Sequence, residues 1–301
     1  FAVAKLVLLA VLGLGLVRQG GLLIYATWVI GSFTSLLFLA GWAWRRGTPL
    51  LGHRPAWGLL RGLGRSALGH HALNLTLQIP SLALPLVVTV ELSTTATAHF
   101  YVAWMIAGLL FVAPYALTTV LYAVGAADPT ALAHKLRQSL FLSFALCGAA
   151  NLALWVAADW VLAIFGQGYA LEAGISLRLL ALGVIPLVVR YHYIALARLR
   201  GRMHQAALLQ ACASGLELVL AATGAALGGL AGLSIGWLLA VTIEAMVMAS
   251  AVYRAGWRGP VAPPPSIGHA IGDSPDPTLA GAVWLSSELE SADVAPSSKG
   301  A

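Results

Sequence analysis

The chain has 301 residues, of which 59% are hydrophobic and only 9% charged, against roughly 25% charged in an ordinary soluble domain. That composition excludes a soluble globular fold. The formal net charge of +6 is scattered along short connectors instead of forming one basic stripe, which excludes nucleic acid as a partner and points to topology determinants.

A membrane span needs roughly 20 predominantly apolar residues. In hydrocarbon each backbone N–H and C=O must be paired within its own segment, so such runs are helices. The sequence predicts an all-α, polytopic transmembrane helix bundle of about eight spans, at 2–17, 22–44, 67–90, 98–124, 140–165, 175–196, 206–227 and 230–253. The connector with Arg45, Arg46, Arg54, Arg61 and Arg65 is cytoplasmic by the positive-inside rule. Counting turns from it, Lys135 and Arg137, then Arg198, Arg200 and Arg202, and finally Arg254 and Arg258 fall on the same side. The opposite connectors hold Arg18, Glu91 and Glu172. This alternation supports eight spans independently of hydropathy and places both chain ends in the cytoplasm of a plasma-membrane protein.

The connector's Gly47, Pro49, Gly52, Pro55 and Gly58 break helices and suit a link between lobes, predicted over 45–66. Segments 1–44 and 67–258 form the two membrane parts. From 259 onward Pro260, Pro263, Pro264, Pro265, Pro275 and Pro277 alternate with Ser, Asp and Gly, the composition of a disordered tail. Phe1 opens the chain without a methionine or a signal-peptide cleavage site, which reads as a piece of a longer protein.

The third span sets His70 or His71, Asn74, Gln78 and Ser81 at helical spacing along one face. Two accounts stand: interhelical hydrogen bonding, or the lining of a water-filled cavity. Pro80 and Pro85 in this span, Pro114 in the fourth and Pro186 in the sixth each remove a backbone hydrogen bond and invite a kink. Tyr115, Thr118 or Thr119, and Tyr122 continue the polar face on the fourth span, although interfacial anchoring alone explains Tyr122.

Arg178, Arg190, Glu217 and Glu244 lie at or inside spans, with Asp159 nearer an outer boundary. Arg178 and Arg190 are about 18 Å apart along one helix, so they either grip an anionic ligand at two depths or snorkel to the two interfaces. Glu217, mid-span beside Ser214 and Gln210, is either a proton or cation coupling site or the counter-ion of an arginine on a neighbouring helix. Glu244 is a weaker candidate for the same roles. Cys147 and Cys212 sit in apolar runs and offer neither a disulfide framework nor metal spacing. No phosphate-cradling glycine loop, zincin pattern or nucleophile elbow occurs. No catalytic residue, cofactor or metal is assigned, and the chain reads as a non-enzyme.

The order of features from His70 onward resembles the polysaccharide and lipid-linked oligosaccharide flippases of the multidrug/oligosaccharidyl-lipid/polysaccharide exporter superfamily. The resemblance rests on His70-His71-Ala72-Leu73-Asn74-Leu75 with Pro80 and Pro85, and on Phe100-Tyr101-Val102-Ala103-Trp104-Met105 leading to Pro114 and Asp128-Pro129. It continues in Phe165-Gly166-Gln167-Gly168-Tyr169-Ala170, in Leu177-Arg178-Leu179-Leu180-Ala181-Leu182 with Pro186, and in Ala197-Arg198. It covers roughly 66–253 and implies two six-helix lobes working by alternating access. Here it implies a complete C-terminal lobe, the last two helices of an N-terminal lobe, and four preceding helices absent.

On this resemblance the expected function is flipping or export of a lipid-linked, anionic saccharide for cell-surface polysaccharide synthesis. Arg178, Arg190, Asn74, Gln78 and Tyr115 are the expected substrate contacts and Glu217 the expected coupling residue. The expected partners are the lipid-linked saccharide and membrane lipids. The rival readings are a cation-coupled drug or metabolite exporter of the same superfamily, a membrane-embedded glycosyl- or acyltransferase, and a non-transporting membrane scaffold.

Overall fold

The computed structural model describes residues 22–45 and 57–257, and among these there is no strand. The predicted span at 2–17, residues 46–56 of the predicted link and the proline-rich segment from 259 lie outside the described residues, while 57–66 of that link are helical. The chain divides into two units, Phe1–Gly64 and Arg65–Ala301. In the first unit α1 (Leu22–Arg45) is apolar nearly throughout, with Thr34 and Ser35 turning their hydroxyls back onto the carbonyls of Ile30 and Gly31. Such back-bonding pairs a hydroxyl that hydrocarbon cannot solvate.

Helix α2 (Trp57–Glu91) leads into the second unit, followed by α3 (Thr94–Ala127), α4 (Leu132–Ala163), α5 (Gln167–Leu182), α6 (Val184–Leu199) and α7 (Met203–Trp257). Five helices, Ala67–Glu91, Thr94–Ala127, Leu132–Ala163, Gln167–Leu199 and Met203–Trp257, are long and apolar enough to cross a membrane. Large apolar side chains remain on the outer surface, with Leu82 72% and Phe141 78% exposed. Water would not tolerate a surface of this kind on a monomeric soluble protein. The protein is an all-α membrane helix bundle.

The turns follow from local chemistry. Ser93 caps α3 by accepting the amide of Ala96 at 3.0 Å. At the other end Pro129 stops the helix, and Asp128 accepts the Thr130 hydroxyl at 2.6 Å and the Thr130 and Ala131 amides at 2.9 and 3.3 Å, opening α4. These bonds, led by the Thr130 hydroxyl, hold the Asp128 carboxyl below the usual aspartate range.

Two predicted elements differ from what the chain adopts. The sixth span starts earlier than expected, at Gln167, and is two helices divided at Gly183. The amide of Pro186, without a hydrogen, cannot bond the carbonyl of Leu182, which weakens the ladder there. A β-carbon at Gly183 would overlap the six-membered ring of Trp237, so glycine admits that ring into the break. By contrast α2 runs through Pro80 and Pro85, and α3 through Pro114, without a division.

The last two predicted spans are the arms of α7, whose backbone leaves helical geometry at Gly228 and Gly229, the latter at φ 60°. That positive φ is open to glycine at no steric cost. The arms then pack back to back so closely that a β-carbon on Gly224 would overlap the carbonyl of Gly232, and one on Gly236 that of Leu220. Small residues let helix backbones approach in this way within membranes, where hydrophobic driving force between helices is absent.

A core of Leu84, Phe100, Leu162, Leu177 and Trp237 joins α2, α3, α4, α5 and the second arm of α7. A second cluster holds Leu121, Leu136, Cys147, Val188 and Val252.

Two outcomes are expected. Gly224→Val lowers stability in detergent by about 1–3 kcal/mol or more through overpacking, while Gly108→Ala, with open space around it, leaves the thermal midpoint nearly unchanged. The Asp128 carboxyl, with its folded value depressed, contributes its turn bonds above the usual aspartate range and loses them as pH falls through the depressed value. The Thr130 amide proton resonance therefore shifts only in that acidic window, and Asp128→Asn abolishes the shift.

Candidate functional site

Arg190 lies on α6 facing both arms of α7, where it is 7% exposed, beside Glu217 at 0% and Glu244 at 5%. Its Nη1 donates to Glu217 Oε1 at 2.6 Å and to Glu244 Oε2 at 2.9 Å. The second oxygen of Glu217 accepts Trp237 Nε1 at 2.6 Å. The guanidinium thus ties α6 to both arms of α7, and the indole of the second arm ties it to the first. Isolated charges in hydrocarbon cost several kcal/mol each, and only mutual pairing makes this arrangement tolerable. Two carboxylates face one guanidinium, and Glu244 Oε1 and Arg190 Nε have no further partner among the described residues.

Trp237 connects this charged knot to the aromatic core. Its ring stands edge-on to Trp104 at 5.1 Å and tilted to Phe111 at 5.9 Å, with Phe100 stacked behind Trp104 at 5.8 Å. Offset and edge-to-face arrangements of this kind add about 0.5–1.5 kcal/mol each beyond area burial.

Next to Arg190, Tyr191 turns its ring toward α3, edge-on to Tyr115 at 5.9 Å. Between α2, α3 and α6 these two tyrosines, Tyr122, Thr118, Thr119 and Arg198 line a cavity of about 80 Å³. Arg198 Nη2 donates to Asn74 Oδ1 on α2 at 2.8 Å. Gln78 is exposed one turn along the same face and accepts Ser81 Oγ at 3.4 Å.

Two further polar clusters lie elsewhere. Arg178 on α5 grips Asp159 of α4 with both terminal nitrogens, at 3.0 and 2.8 Å, and donates Nε to the Trp155 carbonyl at 3.1 Å. His192, fully buried on α6, contacts Ser139 Oγ at 2.9 Å and the Val188 carbonyl at 2.7 Å. Ser214 donates to the Thr76 carbonyl, joining the first arm of α7 to α2.

The expected substrate contacts therefore fall into three places. Asn74 and Tyr115 border the tyrosine cavity, with Gln78 beyond its edge. Arg190 is enclosed with Glu217 inside the bundle, and Arg178, in the second half of α5, is paired with Asp159 of α4. The alternative of Glu217 as counter-ion to an arginine on another helix is what the geometry displays, and Glu244 shares that arginine. The sequence presents Arg198 as a topology marker and gives no role to Tyr191, His192 or Trp237. The cluster Arg190-Tyr191-His192-Tyr193, four polar-capable side chains in an apolar run, was the available signal for two of them. No protein-family profile matches the chain, and comparison with curated proteins and with solved structures returns no match.

Removing the guanidinium strands two buried carboxylates, so Arg190→Met lowers stability by about 3–5 kcal/mol. Glu244→Gln, which leaves Arg190 with Glu217, costs about 1–3 kcal/mol. Reversible unfolding in mixed micelles measures both, and equal losses would contradict the geometry.

Proposed function

We propose that the chain is part of a membrane transporter that moves a lipid-linked, anionic saccharide from the cytoplasmic to the outer leaflet by alternating access. It would be a member of the multidrug/oligosaccharidyl-lipid/polysaccharide exporter superfamily, with eight spans in this segment and both ends in the cytoplasm of the plasma membrane. The observation that carries this reading is the polar, aromatic face shared by α2, α3 and α6. Asn74, Gln78, Tyr115, Thr119 and Tyr122 are exposed together on a bundle that carries many large exposed apolar side chains elsewhere. Polar side chains in a bilayer face a cavity or a partner by default. Sugars, with hydroxyls along their edges and apolar ring faces, suit phenols and amides.

The break at Gly183 and the turn at Gly228 and Gly229 divide α5, α6 and the two arms of α7 into separate rods that can move as units. The Arg190, Glu217, Glu244 and Trp237 knot bridges them, so its bonds set the energy difference between inward-open and outward-open states. A cation-coupled drug or metabolite exporter is the second reading. It is favoured by the excess carboxylate in the knot, which suits an exchangeable cation.

An intact version of the protein, inserted in a flippase-deficient cell, restores surface polysaccharide, and Glu217→Gln reduces that restoration at least tenfold at equal abundance. Failure of the inserted wild-type protein to restore polysaccharide overturns the reading. Efflux of small cationic dyes instead favours the second.

A further inference from the structure

The arginines of the bundle are not equivalent as anion ligands. Arg190 is neutralised by two carboxylates and Arg178 by Asp159, each within 3.0 Å. An anionic group arriving at either would have to displace a carboxylate already in place and would meet its repulsion. Arg198 differs, because its protein partner is the neutral amide of Asn74. Its Nε is buried and has no partner among the described residues. It is also the arginine that lines the tyrosine cavity.

The polar part of the lining around Arg198 offers one guanidinium and three phenol hydroxyls as donors, beside the apolar side chains of Leu77, Ile194 and Ala195. The guanidinium carries five N–H groups, one engaged by Asn74. No hydrogen bond joins the hydroxyls of Tyr115, Tyr122 or Tyr191 to another described residue. The Asn74 oxygen is already taken. Thr118 donates its hydroxyl proton to the carbonyls of Pro114 and Tyr115, and Thr119 to that of Tyr115, which leaves their lone pairs turned outward as acceptors. Donors without a protein partner, gathered around one cavity at the end of α6, suit a ligand crowded with acceptor oxygens and carrying negative charge. A phosphoryl group has that character, with more acceptor positions than a carboxylate. The cavity, about 80 Å³, has space for one such group and not for a saccharide. The attached ring would lie outward, over the half-open faces of Tyr115 and Tyr122, which are 52% and 37% exposed.

We infer that Arg198, with the hydroxyls of Tyr115, Tyr122 and Tyr191, forms a binding subsite for the phosphoryl group of a phosphorylated saccharide, and that Arg190 and Arg178 do not contact it. The inference deepens the transport reading and rests on it for the saccharide portion. The phosphoryl chemistry follows from the cavity alone.

The test uses the full chain in lipid nanodiscs, with glucose 1-phosphate, inorganic phosphate, methyl glucoside and a polyprenyl-phosphate glucose as probes. Calorimetry is expected to show binding of glucose 1-phosphate or of the lipid-linked probe, and none of methyl glucoside. Binding of the lipid-linked probe alone assigns the source of the phosphoryl group to lipid. Arg198→Gln weakens binding at least tenfold, and Arg198→Lys by an intermediate factor, because a single ammonium lacks the planar fork. Arg202→Gln, an exposed charge away from the cavity, leaves affinity within twofold. A readout without any variant guards against misfolding: glucose 1-phosphate or the lipid-linked probe should slow phenylglyoxal modification of Arg198 in the wild-type chain. Unchanged affinity in Arg198→Gln, absence of protection, or equal binding of methyl glucoside overturns the subsite. Phosphoryl binding without movement of lipid-linked saccharide leaves the subsite standing and removes the transport reading. Transport with unaltered probe binding in Arg198→Gln does the reverse.

Discussion

The arrangement of the second unit depends on one buried interaction, the contact of a single guanidinium nitrogen with carboxylates from two different helix arms. Arg190 Nη1 reaches Glu217 and Glu244 at 2.6 and 2.9 Å, and Glu217 in turn holds Trp237. Apolar packing in a bilayer does not discriminate strongly between neighbours, since lipid tails are as apolar as leucine. A charge in hydrocarbon does discriminate, because a misregistered helix leaves it unpaired. The register of α6 against both arms of α7 is therefore set by this knot, and van der Waals packing completes it.

Glycine and tryptophan act together around the knot. Trp237 must lie flat enough against α5 and α6 to bring its indole nitrogen to Glu217, and Gly183 is where the chain gives way to it. The hairpin of α7 must bring Glu217 and Glu244 to the same guanidinium. Gly224, Gly232 and Gly236 let the arms close to backbone contact for that purpose. Polar geometry and close packing are thus parts of one solution: the small residues place the charges, and the charges fix which small residues face each other.

Two kinds of polar chemistry are kept apart in the bundle. The knot is enclosed, with one guanidinium shared between two carboxylates. The tyrosine cavity, one helix face away, is partly open and donor-rich, and Tyr191 stands between the two next to Arg190 in sequence. A change in ligand occupancy at the cavity would reach α6 directly, and through Arg190 both arms of α7. Such contiguity is a physical route for coupling, resting on packed contacts and hydrogen bonds along one helix.

Much of the fold was legible in the sequence, for identifiable reasons. Hydrocarbon forces helix on any long apolar run, so α1 to α4 cover the predicted spans, although α2 and α4 begin earlier, at Trp57 and Leu132, and Ser93, Asp128 and Pro129 mark helix ends by local hydrogen-bond chemistry. The boundary between the last two predicted spans, 227 to 230, falls at Gly228 and Gly229, where the backbone leaves the helix. The division at Gly183 was not legible, since its cause is a ring from a residue more than fifty positions away. The polar residues divide in the same way. Sequence identified Arg178, Arg190, Glu217 and Glu244 as costly groups that require an explanation, because the expense of charge in lipid is a property of each residue alone. Which of them neutralise one another, and which arginine is left facing a cavity of unmet donors, depends on distances between helices. Those are decided by packing in three dimensions, where Arg190 finds two carboxylates and Arg198 finds only an amide.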